Sequence, residues 1–491
     1  MVTTTDLRRF AFRQGPGREL LGLRNGIQDD AATTSLVPPA ACRGGFGRML
    51  PFGTHQLLDD VHYPSGRVDG EVDDALGHIL LTAFGIQRRE PSNPYNDHRV
   101  TASVRSKFPV HCFVLDEQGL AYLDLYRHAL IDTDQPLPPA LPERGRTTVI
   151  LVGRYTDYPA DYGWLRGSLA DLEAGINLRS LFVAAELFGV PAALDLDGQR
   201  SERVAELVST TGRGQWTPPL LVSLDTTSPR RGEALPTGAG ATSPDEDELL
   251  GAESGLHDAA RIAATMYEIR ASPAAPAAGL PAIDRHDRTS WARVLWNRSA
   301  GRVPAGLHGF SVVAARSSQD VLDDHIAAAS TAPPHPLLAE VRERVRLSVA
   351  LQRVGDVPTG VYRLGSGGLT HVRADEAVMR TIEDAFSFPS TPATDSSIRH
   401  TGLVWLMSVD LAELAAEFGP ASWTLLQLTC GWISHGLSVA AAAHDQFARP
   451  ARSFDETKAI KCFELQWHET PTFMVIAGRS RFAEPMLDLR T

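Results

Sequence analysis

The segment DYGWLRGSLADLEAGINLRSLFVAA, Asp161 to Ala185, returns 256 positions later as EFGPASWTLLQLTCGWISHGLSVAA, Glu417 to Ala441. In both copies a glycine (Gly163, Gly419) is followed twelve residues on by a second (Gly175, Gly431). A pair of alanines then follows, Ala184-Ala185 and Ala440-Ala441, and Leu181 and Leu437 keep the same offset. Apolar residues recur at helical spacing in each copy, with small residues on one stripe, which is the pattern of a buried helix. A repeated unit changes the reading of the whole chain, because both copies then share one plan.

Working outward, the order of elements repeats as well. Upstream lie GLAYLDL from Gly119 and GVYRL from Gly360, each a glycine-started strand with a tyrosine. Downstream lie Pro219-Leu220-Leu221-Val222 and Pro471-Thr472-Phe473-Met474-Val475-Ile476, each a proline followed by a strand-like apolar run. Each half therefore reads as helix, hairpin-like strands, buried helix and closing strand, an α+β plan with an antiparallel or mixed sheet.

Three composition breaks divide the chain. Residues 1–60 are rich in Gly, Pro and short polar turns and read as an N-terminal arm with at most one short helix. Residues 61–225 form the first half. Residues 226–287 read as a linker, Pro/Gly/Ala-rich with an acidic run at Asp245-Glu246-Asp247-Glu248, and residues 288–491 form the second half.

Composition excludes several functions. The chain has 491 residues, a net charge of −12, 43% hydrophobic and 22% charged residues, enough for two packed cores and unsuited to neutralising nucleic-acid phosphates. No stretch approaches the roughly 20 apolar residues that span a bilayer, so no membrane role and a cytoplasmic location are expected. Cys42, Cys112, Cys430 and Cys462 are scattered without a C-x-x-C pair, which argues for free thiols and against a zinc site. Only Lys107, Lys458 and Lys461 are lysines, so a catalytic lysine is nearly excluded.

One short motif carries chemistry. After the helical WARVLW comes Asn297-Arg298-Ser299-Ala300-Gly301-Arg302, two guanidiniums and a hydroxyl near a helix end. Such groups are suitable donors for a phosphate dianion, although Arg-Ser-x-x-Arg standing alone is more often a solvated helix terminus. His435 and His444 lie nine apart, which does not match a helical metal pair, and no metal is expected. Nor does a G-x-G-x-x-G follow any strand to mark a dinucleotide-binding unit.

With these residues in view, both halves resemble units of the nitroreductase superfamily, specifically the SagB-type oxidases of thiazole/oxazole peptide biosynthesis. That family opens with an Arg-Arg-Ser-x-Arg element on the FMN phosphate, which Asn297 to Arg302 resembles with its first arginine replaced and its last slipped by one. HGFSVVAARSSQDVLDDHIAAA from His308, GVYRLGSGGLTHV from Gly360, CGWISHGLSVAAAAHDQFARPARSF from Cys430 and TPTFMVIAGR from Thr470 are similar to the segments that follow. The likeness covers about residues 290–480. In the first half HRVTASVRSKFPVHCFVL from His98 resembles the family's Ser-rich flavin segment, with no Arg-Arg-Ser element before it.

The resemblance implies two nitroreductase-like α/β sandwich domains forming an internal pseudo-dimer, with FMN between them. Arg298, Ser299 and Arg302 would hold the phosphate. Ser103 and Arg105, in the stretch up to Ser106, would wall the ring from the other half, with His435 and Arg449 near it. One occupied site per chain follows. The family's Lys-Tyr pair, which serves azoline oxidation, falls on Asp161 and Tyr162, so the lysine is replaced and Tyr162 can also be read as a half-buried aromatic before a helix. The matching pair in the second half is Glu417-Phe418.

The implied activity is dehydrogenation of azolines in a ribosomally made peptide, with the modified peptide and cyclodehydratase proteins of the same pathway as partners. A flavin reductase of nitro or enone compounds and a non-catalytic scaffold subunit stay open beside it. The chain is expected to be a monomer with an internal pseudo-dimer or a homodimer.

Overall fold

The computed structural model describes residues 2–3, 47–91, 97–133, 146–158, 162–208, 215–226, 254–283, 289–301, 312–386, 398–481 and 486–491. Asp161, Arg302 and Cys42 lie outside the described residues.

The first half lays down β1 (Gly47–Met49), a short pair β2 (Ile86–Arg89) and β3 (Asp97–Arg99), then β4 (Val110–Asp116), β5 (Gly119–Asp124), β6 (Ala129–Asp132), β7 (Thr147–Gly153), β8 (Ala192–Asp195) and β9 (Leu220–Leu224). The second contributes β10 (Val312–Val313), β11 (Arg346–Leu351), β12 (Gly360–Gly365), β13 (Gly368–Ala374), β14 (Leu403–Asp410), β15 (Phe447–Ala451) and β16 (Glu469–Ser480), followed by β17 (Leu487–Asp488). Among the described residues two large antiparallel sheets result, with a small third sheet of order β17-β2-β3. The first runs β1-β6-β5-β4-β7-β9-β8, and the second runs β10-β16-β14-β11-β12-β13 with β15 also on β16. Reading β6-β5-β4-β7-β9-β8 against β13-β12-β11-β14-β16-β15 shows one strand order used twice.

Central strands explain their own burial. β4 (VHCFVLD) and β7 (TTVILVG) are buried at every position, as near-continuous apolar runs require when both faces of a sheet are covered. Between the sheets lie two long helices, Leu165–Leu187 and Ser422–Ala443, buried along almost their whole length. A helix without a polar face has to be wrapped by protein, and here each wraps the other. Gly163 and Gly419, which precede them, both have positive φ, at 45° and 64°. The apolar core is continuous across both halves, with Leu178 and Val222 of the first and Trp432, Leu347 and Val475 of the second in one cluster.

Other contacts tie the halves end to end. Trp291 N–H donates to the Val61 carbonyl and Tyr63 N–H to that of Thr289, so the helix Trp291–Asn297 docks beside Thr54–Asp59 of the first half. β17 pairs with β2, which carries the end of the second half onto the first.

Two stretches expected to be arm and linker carry structure. From Gly47 the arm already belongs to the fold, since β1 pairs residue for residue with β6 and Thr54–Asp59 is helical. In the linker a helix, Ser254–Ala263, buries Ala259, Ile262 and Ala263, and the Pro/Ala-rich run beyond it lies along β8, with Ala274 and Ala277 N–H donating to Leu194 and Ala192. The run covers the edge strand of the sheet, and its prolines keep it from continuing as a helix.

Candidate functional site

Ser290 caps the helix Trp291–Asn297 by accepting from Arg293 N–H, and Trp291, Val294 and Leu295 anchor it inward. Arg298 follows as its C-cap and is only 3% exposed. Its Nη2 donates to the Arg99 carbonyl at 2.7 Å, across the boundary between halves. Nε and Nη1 have no hydrogen-bond partner among the described residues.

Arg99 is in the same condition. It is buried, Nε and Nη2 have no partner among the described residues, and its guanidinium sits 4.3 Å from the Phe108 ring centroid. Arg88 lies beside them, donating to Glu90 and to the carbonyls of Trp296 and Arg298. Burial, and then Arg88, pushes the Arg298 guanidinium down to about 9. His435 is buried with both ring nitrogens unpartnered among the described residues; burial, then Arg179 and Arg298, holds it well below its usual range and so neutral. Burying a cationic donor without a hydrogen-bond partner is costly, and a bound anion offsets that cost. The donors of Arg298 left without a partner among the described residues therefore suit an anion such as a phosphate, whereas the Arg99 guanidinium faces Tyr126, Tyr122, Asp97 and Asp124 and meets Arg298 only through its backbone carbonyl.

The remaining residues of the motif support it from behind. Ser299 Oγ accepts from Gly301 N–H at 3.1 Å, and Ala448 N–H donates to the Ser299 carbonyl. Arg449 donates to the carbonyls of Ala300 at 2.6 Å and Gly301 at 3.2 Å, gripping the backbone of the motif. Thus Arg298, Ser299 and Arg449 are brought together, with His435 near Arg298.

Ser103, Arg105 and Tyr162 form a second group. Arg105 places its guanidinium 5.2 Å from the centre of the Tyr162 ring. Ser103 Oγ accepts from Phe108 N–H at 2.8 Å, closing a turn in which Arg105, Ser106 and Phe108 all have positive φ. Non-glycine residues seldom adopt that region, and clusters of them concentrate at functional sites. Tyr162 packs with Tyr155, Tyr158 and Leu165.

Sequence reasoning missed Arg99 and Glu173. Glu173 lies inside the first long helix, 2% exposed, and accepts from Val104 N–H at 2.9 Å. Burial pushes its acid up to about 7, and does the same to Asp171, which accepts from the Thr424 hydroxyl at 3.0 Å. Comparing the repeats would have flagged it, since the counterpart of Glu173 is Thr429. The other sequence candidates sit elsewhere: His444 pairs with Asp324 at 2.8 Å, and Glu417 pairs with Arg344 at the surface.

The repeat-related cleft is furnished differently. Arg179 occupies the position that His435 holds in the other helix, and its Nη1 donates to Ala328 and Trp432 carbonyls at 2.8 and 3.1 Å. A cavity of about 280 Å³ opens on the other face of β2, lined by Gln87 and Arg89, away from the intervening Arg88. Among the described residues there is no cluster of His, Cys, Asp and Glu able to hold a metal, and no helix long and apolar enough to cross a membrane.

Comparison with solved structures settles the architecture. A protein of Anabaena variabilis described as a nitroreductase superposes with a TM-score of 0.67, over 97% of this chain and 99% of that one, at 13% identity. The chain has the nitroreductase fold. Partial matches include the E. coli microcin synthetase McbBCD complex with truncated pro-MccB17 bound (TM-score 0.30, 10% identity, 34% of this chain and 65% of that one). Another is a Ralstonia eutropha protein described as a nitroreductase (TM-score 0.29, 16% identity, 39% and 83%). No family model matches the sequence, and no curated protein does. The nitroreductase fold spans both halves as one body, which agrees with the doubled strand order.

Proposed function

We propose that this chain is an FMN-dependent oxidoreductase that dehydrogenates azolines to thiazoles or oxazoles in a ribosomally made peptide. The observation that carries the flavin reading is Arg298, a buried guanidinium at the boundary of the two halves with two donors that have no partner among the described residues. It fits a flavin phosphate, with Ser299 beside it and Arg449 holding the loop. FMN, when bound, supplies the two-electron chemistry. The protein's own task is to orient the ligand and manage one proton.

In this reading Ser103 and Arg105 wall the ring from the first half, and His435, neutral and unpartnered, is an uncharged neighbour. Tyr162 is the proton-handling group, with Arg105 over its ring and Asp161 preceding it. A phenol within reach of the substrate proton satisfies the geometric demand of general base chemistry. The azoline substrate and cyclodehydratase partners rest on the resemblance to SagB-type oxidases.

A second reading, a reductase of nitro or enone compounds, is favoured by Asp161 standing where the resembled pair has lysine. One experiment separates them. An azoline dehydrogenase is yellow, indifferent to nicotinamide, and removes two hydrogens per ring from a cyclised peptide. A reductase is yellow and consumes NADPH with a nitroaromatic. A colourless chain that takes up no FMN overturns both and leaves a scaffold.

A further inference from the structure

Glu173 has no part in the mechanism above, yet its surroundings are specific. A carboxyl in the middle of a wrapped helix is costly unless it is bonded. Its counterpart in the second long helix, Thr429, merely donates its hydroxyl to the Leu425 carbonyl of its own helix at 2.8 Å. The asymmetry at this position between the two repeat-related helices points to a task confined to the first half.

That task is visible in the partners. Oε1 accepts from Val104 N–H at 2.9 Å, while Oε2 has no hydrogen-bond partner among the described residues. The hydroxyls of Ser103 and Tyr158 face the same carboxyl, and Ser103 Oγ in turn accepts from Phe108 N–H. One side chain therefore pins the Ser103–Phe108 turn near its start through Val104 N–H, while Ser103 Oγ closes its end on Phe108 N–H. The turn needs such support, because Arg105, Ser106 and Phe108 have φ of 47°, 52° and 50°.

We propose that Glu173 is a positioning residue of the flavin site, whose carboxyl holds the left-handed Ser103–Phe108 turn so that Arg105 meets the ring and Tyr162. The inference rests on the flavin reading of the preceding subsection. Gln at this position keeps an acceptor for Val104 N–H; Leu keeps the bulk and removes it.

The test compares Glu173→Gln and Glu173→Leu in the full chain, by hydrogen exchange of residues 103–108 without added flavin and by FMN titration. Glu173→Leu is expected to lose protection of that turn by about tenfold or more while its melting temperature holds or rises, since a buried carboxyl has been removed. Its FMN affinity is expected to fall about tenfold, and Glu173→Gln to restore both within about threefold. Unchanged exchange in Glu173→Leu overturns the positioning role even if FMN binds. Wild type that shows the protected turn yet takes up no FMN overturns the flavin reading and the link of the turn to it.

Discussion

Gly175 and Gly431 meet where the two long helices cross: a Cβ on Gly175 would stand 2.1 Å from the Leu428 carbonyl oxygen, and one on Gly431 2.1 Å from that of Leu172. Leu172 and Leu428 are separated by the same 256 positions as the glycines, so the contact obeys the symmetry of the repeat. Both obstacles are backbone and cannot swing aside. Gly431→Ala should therefore destabilise the chain by roughly 1–3 kcal/mol in chemical denaturation. An unaltered midpoint would mean that the helices do not cross this closely.

Arg298→Ala separates binding from folding. Loss of a charge-assisted bond contributes about 1.5–3 kcal/mol, so FMN affinity should fall by about 10- to 150-fold in a fluorescence titration. Without flavin the same variant should melt no lower than wild type, because the side chain it removes is a buried, incompletely bonded cation. Equal flavin affinity would remove Arg298 from the phosphate site.

The two raised carboxyls make stability depend on pH. Glu173 and Asp171 ordinarily titrate at 4.5 and 3.8, and burial brings both to about 7 in the folded chain. Between those values the folded state holds protons that the unfolded state has released. Their contribution is thus complete below the ordinary carboxylate range and is lost as pH rises to about 7. In thermal melts of flavin-free protein Glu173→Gln should therefore gain on wild type as pH rises, by on the order of 1–3 kcal/mol at pH 8 and little at pH 4. Parallel melting curves for the two proteins across that range would contradict the assignment.

Tyr162→Phe keeps the ring under Arg105 and removes only the hydroxyl. FMN binding should be unaffected and turnover slowed by about a hundredfold, the lower end for general acid–base groups. Wild-type rates would return Tyr162 to the aromatic cluster it shares with Tyr155 and Tyr158.

The fold was legible in the sequence where geometry leaves little choice of residue. Gly175 and Gly431 read as a repeat because only glycine lets two backbones touch, and the closing strands read correctly because buried strands need unbroken apolar runs. Shorter elements were not legible. β1 is three residues long and holds its place through pairing with β6, which no local pattern announces. In the site, Arg298 belonged to a recognisable motif, whereas Arg99 and Glu173 are isolated charges whose meaning comes from residues far along the chain. Arg99 matters through its carbonyl contact with Arg298, and Glu173 through Val104. Only the tertiary structure brings those pairs together.

The central claim is that one flavin sits between two unequal halves of a single chain, and the visible absorption spectrum of the purified protein tests it most directly, together with quantification of any cofactor released on heat denaturation. Flavin bands with one FMN released per chain are the predicted result. A colourless protein that takes up no added FMN, or one that releases two per chain, would contradict it.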